Sequence, residues 1–406
     1  MSKLVFRQAD TADLERLVDV HALAFPDPRG VEERRRNFMA KPFGPFADLH
    51  VAELEGDVVA HAFGFGLSTW VGGAVVPVTG IATVGVAPEA RGRGVGAALV
   101  RHVESVGEAR GAVASFLYPF RQGFYGRLGY VPAPGVIHFA VAPAALPRER
   151  ARDVKVRRAR GEDRATLRDL YRAQAERSTG MISRSERLWN MHLSDERRFF
   201  FVAEEPGTGR PVGYVSTVTA QSESHAETRT EVVDLVGEDD GSRSALLGWL
   251  ASLRDQTAEI DLVLAVDDPL ACLFEDADRA RPGTERIEHG LGTFATGPML
   301  RASDPARVLE KRGYPAELTA AFSLSVAGER FEVDVREGRA KVVGAKPSDE
   351  TQASLAMTGR GFTAVVLGGL PLVHAVRLGW ATAHERVLRE LAPLLDVPAW
   401  HTWDRF

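Results

Sequence analysis

Cysteine is almost absent. Cys272 stands alone in a chain of 406 residues, which rules out an intramolecular disulfide framework. No apolar run reaches the roughly 18 residues that a membrane-spanning helix needs. The opening Met1-Ser2-Lys3-Leu4-Val5-Phe6-Arg7-Gln8 lacks signal-peptide character. The expectation is a cytoplasmic protein without a stable membrane anchor, a non-classical secretion route being left open. A basic excess is missing too: the net charge is −5, which argues against general nucleic-acid binding. Arg34-Arg35-Arg36 directly follow Glu32-Glu33 and read as a solvated helix face. With 45% hydrophobic and 26% charged residues, the composition is that of a globular chain. Its length suits about two or three domains with sizeable cores.

The most informative stretch runs from Thr83 to Leu99. Apolar residues before Pro88 suit a strand, and Val95, Leu99, His102, Val103 and Val106 then recur at helical spacing. Gly92, Gly94 and Gly96 therefore fall at a helix N-terminus, where unpaired amides carry partial positive charge. Glycines let the backbone approach a ligand, and Arg91 and Arg93 add fork-shaped cationic donors. The pattern predicts a grip for a phosphate or pyrophosphate. A P-loop is excluded, because Ala97-Ala98 rather than Lys-Ser or Lys-Thr follows Gly96. Gly92-x-Gly94-x-x-Ala97 matches a dinucleotide fingerprint in letters only. Ala87 to Arg91 separate it from the strand, and the next strand, Ala112 to Tyr118, ends in Tyr-Pro instead of a ribose-binding acid.

Arg91-x-x-Gly94-x-Gly96 after a strand resembles the acetyl-coenzyme A motif of the GNAT acyltransferases. Downstream, Phe116 to Tyr130, with Phe124-Tyr125 and Gly129-Tyr130, resembles the second GNAT signature. The resemblance implies acetyl-CoA as co-substrate and no metal. It implies that Val84, Gly85 and Val86 line the pantetheine arm, and that Arg91, Gly92, Arg93, Gly94, Val95, Gly96 and Ala97 hold the pyrophosphate. Phe120 and Arg121 are expected near the coenzyme, and Tyr125 beside its sulfur. The alternative for Tyr125 and Tyr130 is that they merely cap a core.

A weak internal repeat is present. Val5 to Asp13, with Leu17 beyond, aligns with Lys155 to Asp163, with Leu167 beyond; Val58 to Phe65 pairs similarly with Arg210 to Val215. Both copies read as the opening of a GNAT unit. The second departs at Gly237-Glu238-Asp239-Asp240-Gly241, where carboxylates stand in place of arginines and would repel a pyrophosphate. From about Met299 the pattern changes again. A helix opens at Asp304-Pro305, three short strands follow between Phe322 and Val343, and Thr363 to Leu367, Pro371 to Leu378 and Ala381 to Leu394 read as helices.

The expected fold is α/β (α+β): a catalytic GNAT domain over 1–148, a degenerate GNAT-like domain over 149–298, and over 299–406 an α+β domain whose order of elements resembles the sterol-carrier-protein type. That order resembles the Eis family of N-acetyltransferases, together with the last residue, Phe406. In that family the terminal carboxylate enters the first domain's active site. The resemblance implies acetyl transfer to primary amines such as aminoglycosides or lysine side chains. Phe406 would supply the general base and Tyr125 the general acid, in a homo-oligomer of hexameric type. His61, His102 and His401 are alternative bases by their titration range, and Asp27 and Asp404 are candidate attractors of a polycationic substrate. A non-catalytic lipid-binding or host-interaction protein, or a GNAT enzyme with a narrow metabolite substrate, is the alternative reading.

Overall fold

The computed structural model describes residues 4–26, 28–147, 154–221, 228–274, 290, 292–344 and 354–406. Asp27 and the expected 148/149 boundary lie outside them.

The first unit contains β1 (Leu4–Gln8), α1 (Leu14–Ala24), α2 (Val31–Met39), β2 (Leu49–Leu54), β3 (Asp57–Val71), β4 (Ala74–Val86), α3 (Val95–Ala109), β5 (Ala114–Leu117), α4 (Gln122–Gly126), β6 (Val131–Pro132) and β7 (Val136–Val141). The second repeats the theme with β8 (Lys155–Arg158), α5 (Arg164–Glu176), α6 (Glu186–Ser194), β9 (Arg198–Glu204), β10 (Pro211–Gln221), β11 (Thr228–Gly237), α7 (Asp240–Leu250), β12 (Glu259–Ala265) and β13 (Thr293–Ala295). The repeat reaches side chains. Arg7 forks onto Asp13 at 2.7 Å twice and onto Glu53 at 2.7 Å; Arg157 does the same with Asp163 at 2.7 and 2.9 Å and Glu204 at 2.6 Å. In each copy this planar guanidinium ties the first strand to the helix that follows and to the neighbouring strand.

The third part holds β14 (Met299–Ala302), α8 (Pro305–Lys311), β15 (Ala320–Val326), β16 (Glu329–Arg336), β17 (Arg339–Gly344), β18 (Leu355–Met357), α9 (Gly359–Val366), α10 (Leu372–Arg377), β19 (Ala381–Ala383) and α11 (Glu385–Leu395). The helix expected from Ala381 begins at Glu385, because Ala381–Ala383 pairs with β18 and His384 caps the helix in extended conformation.

Sheet membership crosses the expected boundaries. The first sheet runs β1-β2-β3-β4-β5-β14-β6 and the second β13-β7-β12-β11-β10-β9-β8. β7 thus belongs to the second sheet, and β14, at the start of the third part, is inserted between β5 and β6 of the first. A five-stranded sheet, β17-β16-β15-β18-β19, completes the third part. One apolar cluster runs from Val71, Val78 and Phe116 of the first unit through Phe362 and Leu395 to Trp400. Burial of that continuous surface holds the third part against the first.

Arg34 corrects the expected solvated face of α2. It is 3% exposed, turned inward one helical turn before buried Phe38, and its Nε donates to the Arg29 carbonyl at 3.2 Å. Arg35 keeps to the surface and pairs with Glu15 at 2.5 Å. Among the described residues, no helix is long and apolar enough to cross a membrane.

Candidate active site

β4 and β5 run parallel only from Val78–Ile81 against Ala114–Leu117, after which they part. β4 continues to Val86 along β3, so the backbone of Val84, Gly85 and Val86 carries no described strand partner on its other edge. A slot opens there, and an amide-bearing chain can complete the ladder along it. Within it β4 bulges: Thr83 adopts φ 55°, and the register with β3 shifts so that Thr83 and Val84 stand where one residue would. A β-branched residue in the left-handed region is strained, and such bulges re-aim backbone groups at functional sites. The bulge has no counterpart in residue type, so sequence reasoning missed it.

The turn beyond β4 behaves as its composition requires. Gly92 and Gly94 have φ of 74° and 79°, with nothing within 4 Å of where a side chain would sit. Gly94 caps α3 without a side-chain bond, so the first amides of the helix, those of Val95, Gly96 and Ala97, have no intrahelical acceptor. Arg93 is exposed. Arg91 has a different geometry: its Nε donates to the Val86 carbonyl at 3.1 Å and its Nη2 to Leu23 at 3.2 Å, bracing the turn against α1. The corresponding end of α7 is closed. Asp239 caps it through the Ser242 amide at 2.7 Å, and Glu238 and Asp240 pair with Arg210 and Arg243.

Tyr125 lies on short α4, 2% exposed, with its ring centroid 5.8 Å from Phe120, 4.9 Å from Phe124 and 5.9 Å from Tyr130. Burial pushes its phenol up to about 12. Phe120 is 69% exposed, and Arg121 is exposed at the start of α4. Tyr130 is structural: its hydroxyl donates to Glu104 at 2.7 Å in a buried network with Ser115.

The C-terminal residue enters this unit from the far end of the chain. The Phe406 ring lies in a box formed by Phe43, Phe65, Phe116 and Tyr118, at centroid distances of 5.5, 6.1, 4.9 and 5.7 Å. Its floor is Gly80 of β4, where a Cβ would stand 2.9 Å from the ring. Phe116 therefore touches the terminal residue, while its neighbour Leu117 belongs to the apolar cluster that contains Tyr125. Side chains alternate along a strand, so the two groups address the end of β5 from opposite faces.

The other candidates fare differently. His61 is fully buried and desolvated to about 3; desolvation likewise takes His401 to about 4 and lowers His102 beside His50. The Asp404 carboxylate is already engaged within the protein. It is 2% exposed and bonded to Arg184, His192 and Tyr171, so its charge is already matched.

Two family profiles, each described as an acetyltransferase (GNAT) domain, match residues 5–133 and 180–301. The chain belongs to the GNAT acetyltransferases. This GNAT protein is homologous to the N-acetyltransferase Eis of Mycobacterium tuberculosis and of Mycobacterium bovis, with 27% identity over 288 residues. The match spans 66% of this chain and 66% of those curated relatives. Among solved structures, a GCN5-related N-acetyltransferase from Kribbella flavida shares 26% identity at a TM-score of 0.81, over 100% of this chain and 99% of that one. Eis1 from Mycobacterium abscessus, at 21% identity and a TM-score of 0.74 over 100% of both chains, has the same fold. The tandem GNAT architecture with an additional C-terminal α+β region agrees with the expected fold class.

Proposed function

We propose that the protein transfers the acetyl group of acetyl-CoA to a primary amine of the kind carried by aminoglycosides or lysine side chains. The observation that carries this reading is the seating of Phe406 on Gly80, beside the slot between β4 and β5. Acetyl-CoA fits the elements present. The open edge of Val84–Val86 suits the amides of its pantetheine arm, and the uncapped α3 N-terminus with Gly92, Arg93 and Gly94 suits its pyrophosphate. Arg91 serves this grip by bracing it.

The chemistry follows from protonation states. An alkylamine with a pKa near 10 is protonated at neutral pH and cannot attack until it loses a proton. The Phe406 carboxylate takes that proton, directly or through water, and releases it to solvent; the neutral nitrogen then attacks the thioester carbonyl and gives its second proton to the regenerated carboxylate. A backbone amide left unpaired by the Thr83 bulge would be the donor that stabilises the oxyanion. Collapse breaks the C–S bond, and Tyr125, still protonated because its pKa lies at about 12, donates to the departing thiolate. The proton held at Phe406 returns through water to the Tyr125 phenolate, leaving the acetamide, free coenzyme and both groups in their starting states. The third part would be of the sterol-carrier type and the assembly a cytoplasmic hexamer.

Coenzyme thiol release over a panel of amines tests the reading. Tyr125→Phe and deletion of Phe406 should each lower the amine-dependent rate about 100-fold or more, the range expected for a lost proton-transfer group. Full activity in both variants would refute the roles.

A further inference from the structure

The second GNAT unit has its own slot. β11 and β12 pair in parallel only through Arg229–Glu231 and Glu259–Asp261, then part as β4 and β5 do. The chain's own C-terminal tail lies in that parting. Trp400 forms a parallel bridge to Thr179, and the His401 amide donates to the Thr179 carbonyl at 2.8 Å. His401 lies against the Val263 backbone of β12. Trp403 packs on both apolar clusters of the unit, one containing Val232 and Leu262, the other Val236 and Tyr171.

At Asp404 the tail meets a buried charge network. Its carboxylate accepts from Arg184 Nε at 2.9 and 3.1 Å, from His192 Nε2 at 2.9 Å and from the Tyr171 hydroxyl at 3.2 Å. Arg184 forks its other two nitrogens onto Asp234 at 2.7 and 3.0 Å, and Asp234 also accepts from Arg198 and Tyr214. Arg198 donates to His192 Nδ1. A guanidinium can only donate, so Nδ1 is the acceptor and the imidazole proton sits on Nε2, facing Asp404. Two carboxylates thus balance two guanidiniums. Every partner of the Asp404 side chain comes from the second unit, while Tyr118 of the first unit donates to its backbone carbonyl at 3.1 Å and touches the Phe406 ring.

We propose that the second GNAT unit has exchanged a coenzyme for the chain's own tail as its ligand, and that Asp404 and Arg184 are positioning residues that set the Phe406 carboxylate in the first unit. Only Arg405 separates Asp404 from the terminus, so loss of the clamp leaves the last two residues held by the aromatic box around the Phe406 ring alone, with the backbone that carries the carboxylate no longer fixed. The inference rests on the terminal carboxylate acting as base. An error of about 1 Å at a reacting group costs on the order of 100-fold in rate.

Full-length Asp404→Asn and Arg184→Lys, the second keeping the buried charge, are compared with the Phe406 deletion and with each combined with that deletion. The expected result is a fall in kcat of about tenfold or more for each single variant, with KM for acetyl-CoA within about twofold because its grip lies elsewhere. The combined variants should be no slower than the deletion alone, since residues that act through one group are not additive. Carboxypeptidase should release Phe406 faster from the folded single variants than from the parent. Unchanged kcat in both single variants, or a combined variant slower than the deletion, overturns the clamp. Carboxypeptidase release no faster than in the parent overturns it too, and is read even where a variant is inactive. Full activity in the Phe406 deletion itself instead overturns the base assignment on which the clamp rests.

Discussion

Gly80→Ala gives a sharp test of the terminal residue, because the added atom points at Phe406. A Cβ there would lie 2.9 Å from Cζ of Phe406 and 2.6 Å from Cδ1 of Leu67, where carbon atoms ordinarily settle about 3.5–4 Å apart. The ring must therefore retreat by roughly 1 Å. Both neighbours meet the new atom with the far end of a side chain, and Phe406 ends the chain, so the stability cost belongs at the low end of overpacking, about 1 kcal/mol. A midpoint only a few degrees lower is expected. The kinetic cost is larger, because the displaced ring carries the proposed base: kcat should fall about 10–100-fold. The neighbouring Thr79 faces α3 at Gly107, so Gly80 faces away from that helix, and KM for acetyl-CoA should stay within about twofold. Steady-state thiol release and a thermal melt suffice. If the melt shifts while kcat stays within about twofold of the parent, the ring has moved without consequence and the terminal residue is not part of the reacting constellation.

Gly94→Ala forces a left-handed backbone on a residue with a Cβ, at about 1–2 kcal/mol. Coenzyme A should bind about tenfold more weakly by calorimetry, with kcat at saturation preserved; unchanged affinity would remove the turn from the coenzyme grip. His61 is held by desolvation to about 3, against 6.5 when unfolded, so the folded state refuses a proton that the unfolded chain accepts. The stability this represents is complete above pH 6.5 and is lost as pH falls toward 3, amounting to about 2 kcal/mol by pH 5. The midpoint of His61→Leu should therefore fall less than the parent's between pH 7.5 and 5, and parallel slopes would refute the point. Arg312 is fully buried and donates to the carbonyls of Gly313, Val366 and Leu395 at 3.0, 3.2 and 2.9 Å. Arg312→Met strands them and should cost about 3 kcal/mol or more, read by urea unfolding; a loss below about 1 kcal/mol would contradict that accounting.

The parts of the site legible in the sequence were those whose chemistry is local. Gly92 and Gly94 announce a positive-φ turn because no other residue is comfortable there, and the Val95–Leu99–Val103 spacing announces the helix that follows. The contrast with Asp239 could be read the same way, since a carboxylate at a helix start both caps it and repels anions. Long-range features left no such mark. Thr83 is an ordinary strand residue by type, and only its register against β3 shows the bulge. β7 and β14 are short runs whose residue types name no partner strand, and only their paired registers show which sheet each joins. Asp404 illustrates the limit most plainly. As an exposed acid it would attract a cation, and its actual role is settled by Arg184 and His192, more than 200 positions earlier in the chain.

These long-range features bear on why one repeat keeps an open helix end and the other does not. The first unit is not self-sufficient: β5 and β6 are joined through β14, and the floor of the terminal aromatic box is its own Gly80. Removing the third part would expose the edge of β5 and withdraw Phe406 at the same time. The second unit, for its part, receives β7 from the segment that follows β6 and binds the tail where β11 and β12 part. A duplicated fold with two working coenzyme slots would have no place for that tail. Capping α7 with Asp239 and burying Trp403 against the clusters around Val232 and Val236 converts the second slot from a ligand site into a bearing surface. The price is one lost site, and the gain is a chain end held by buried ion pairs rather than left to fray, as termini otherwise do.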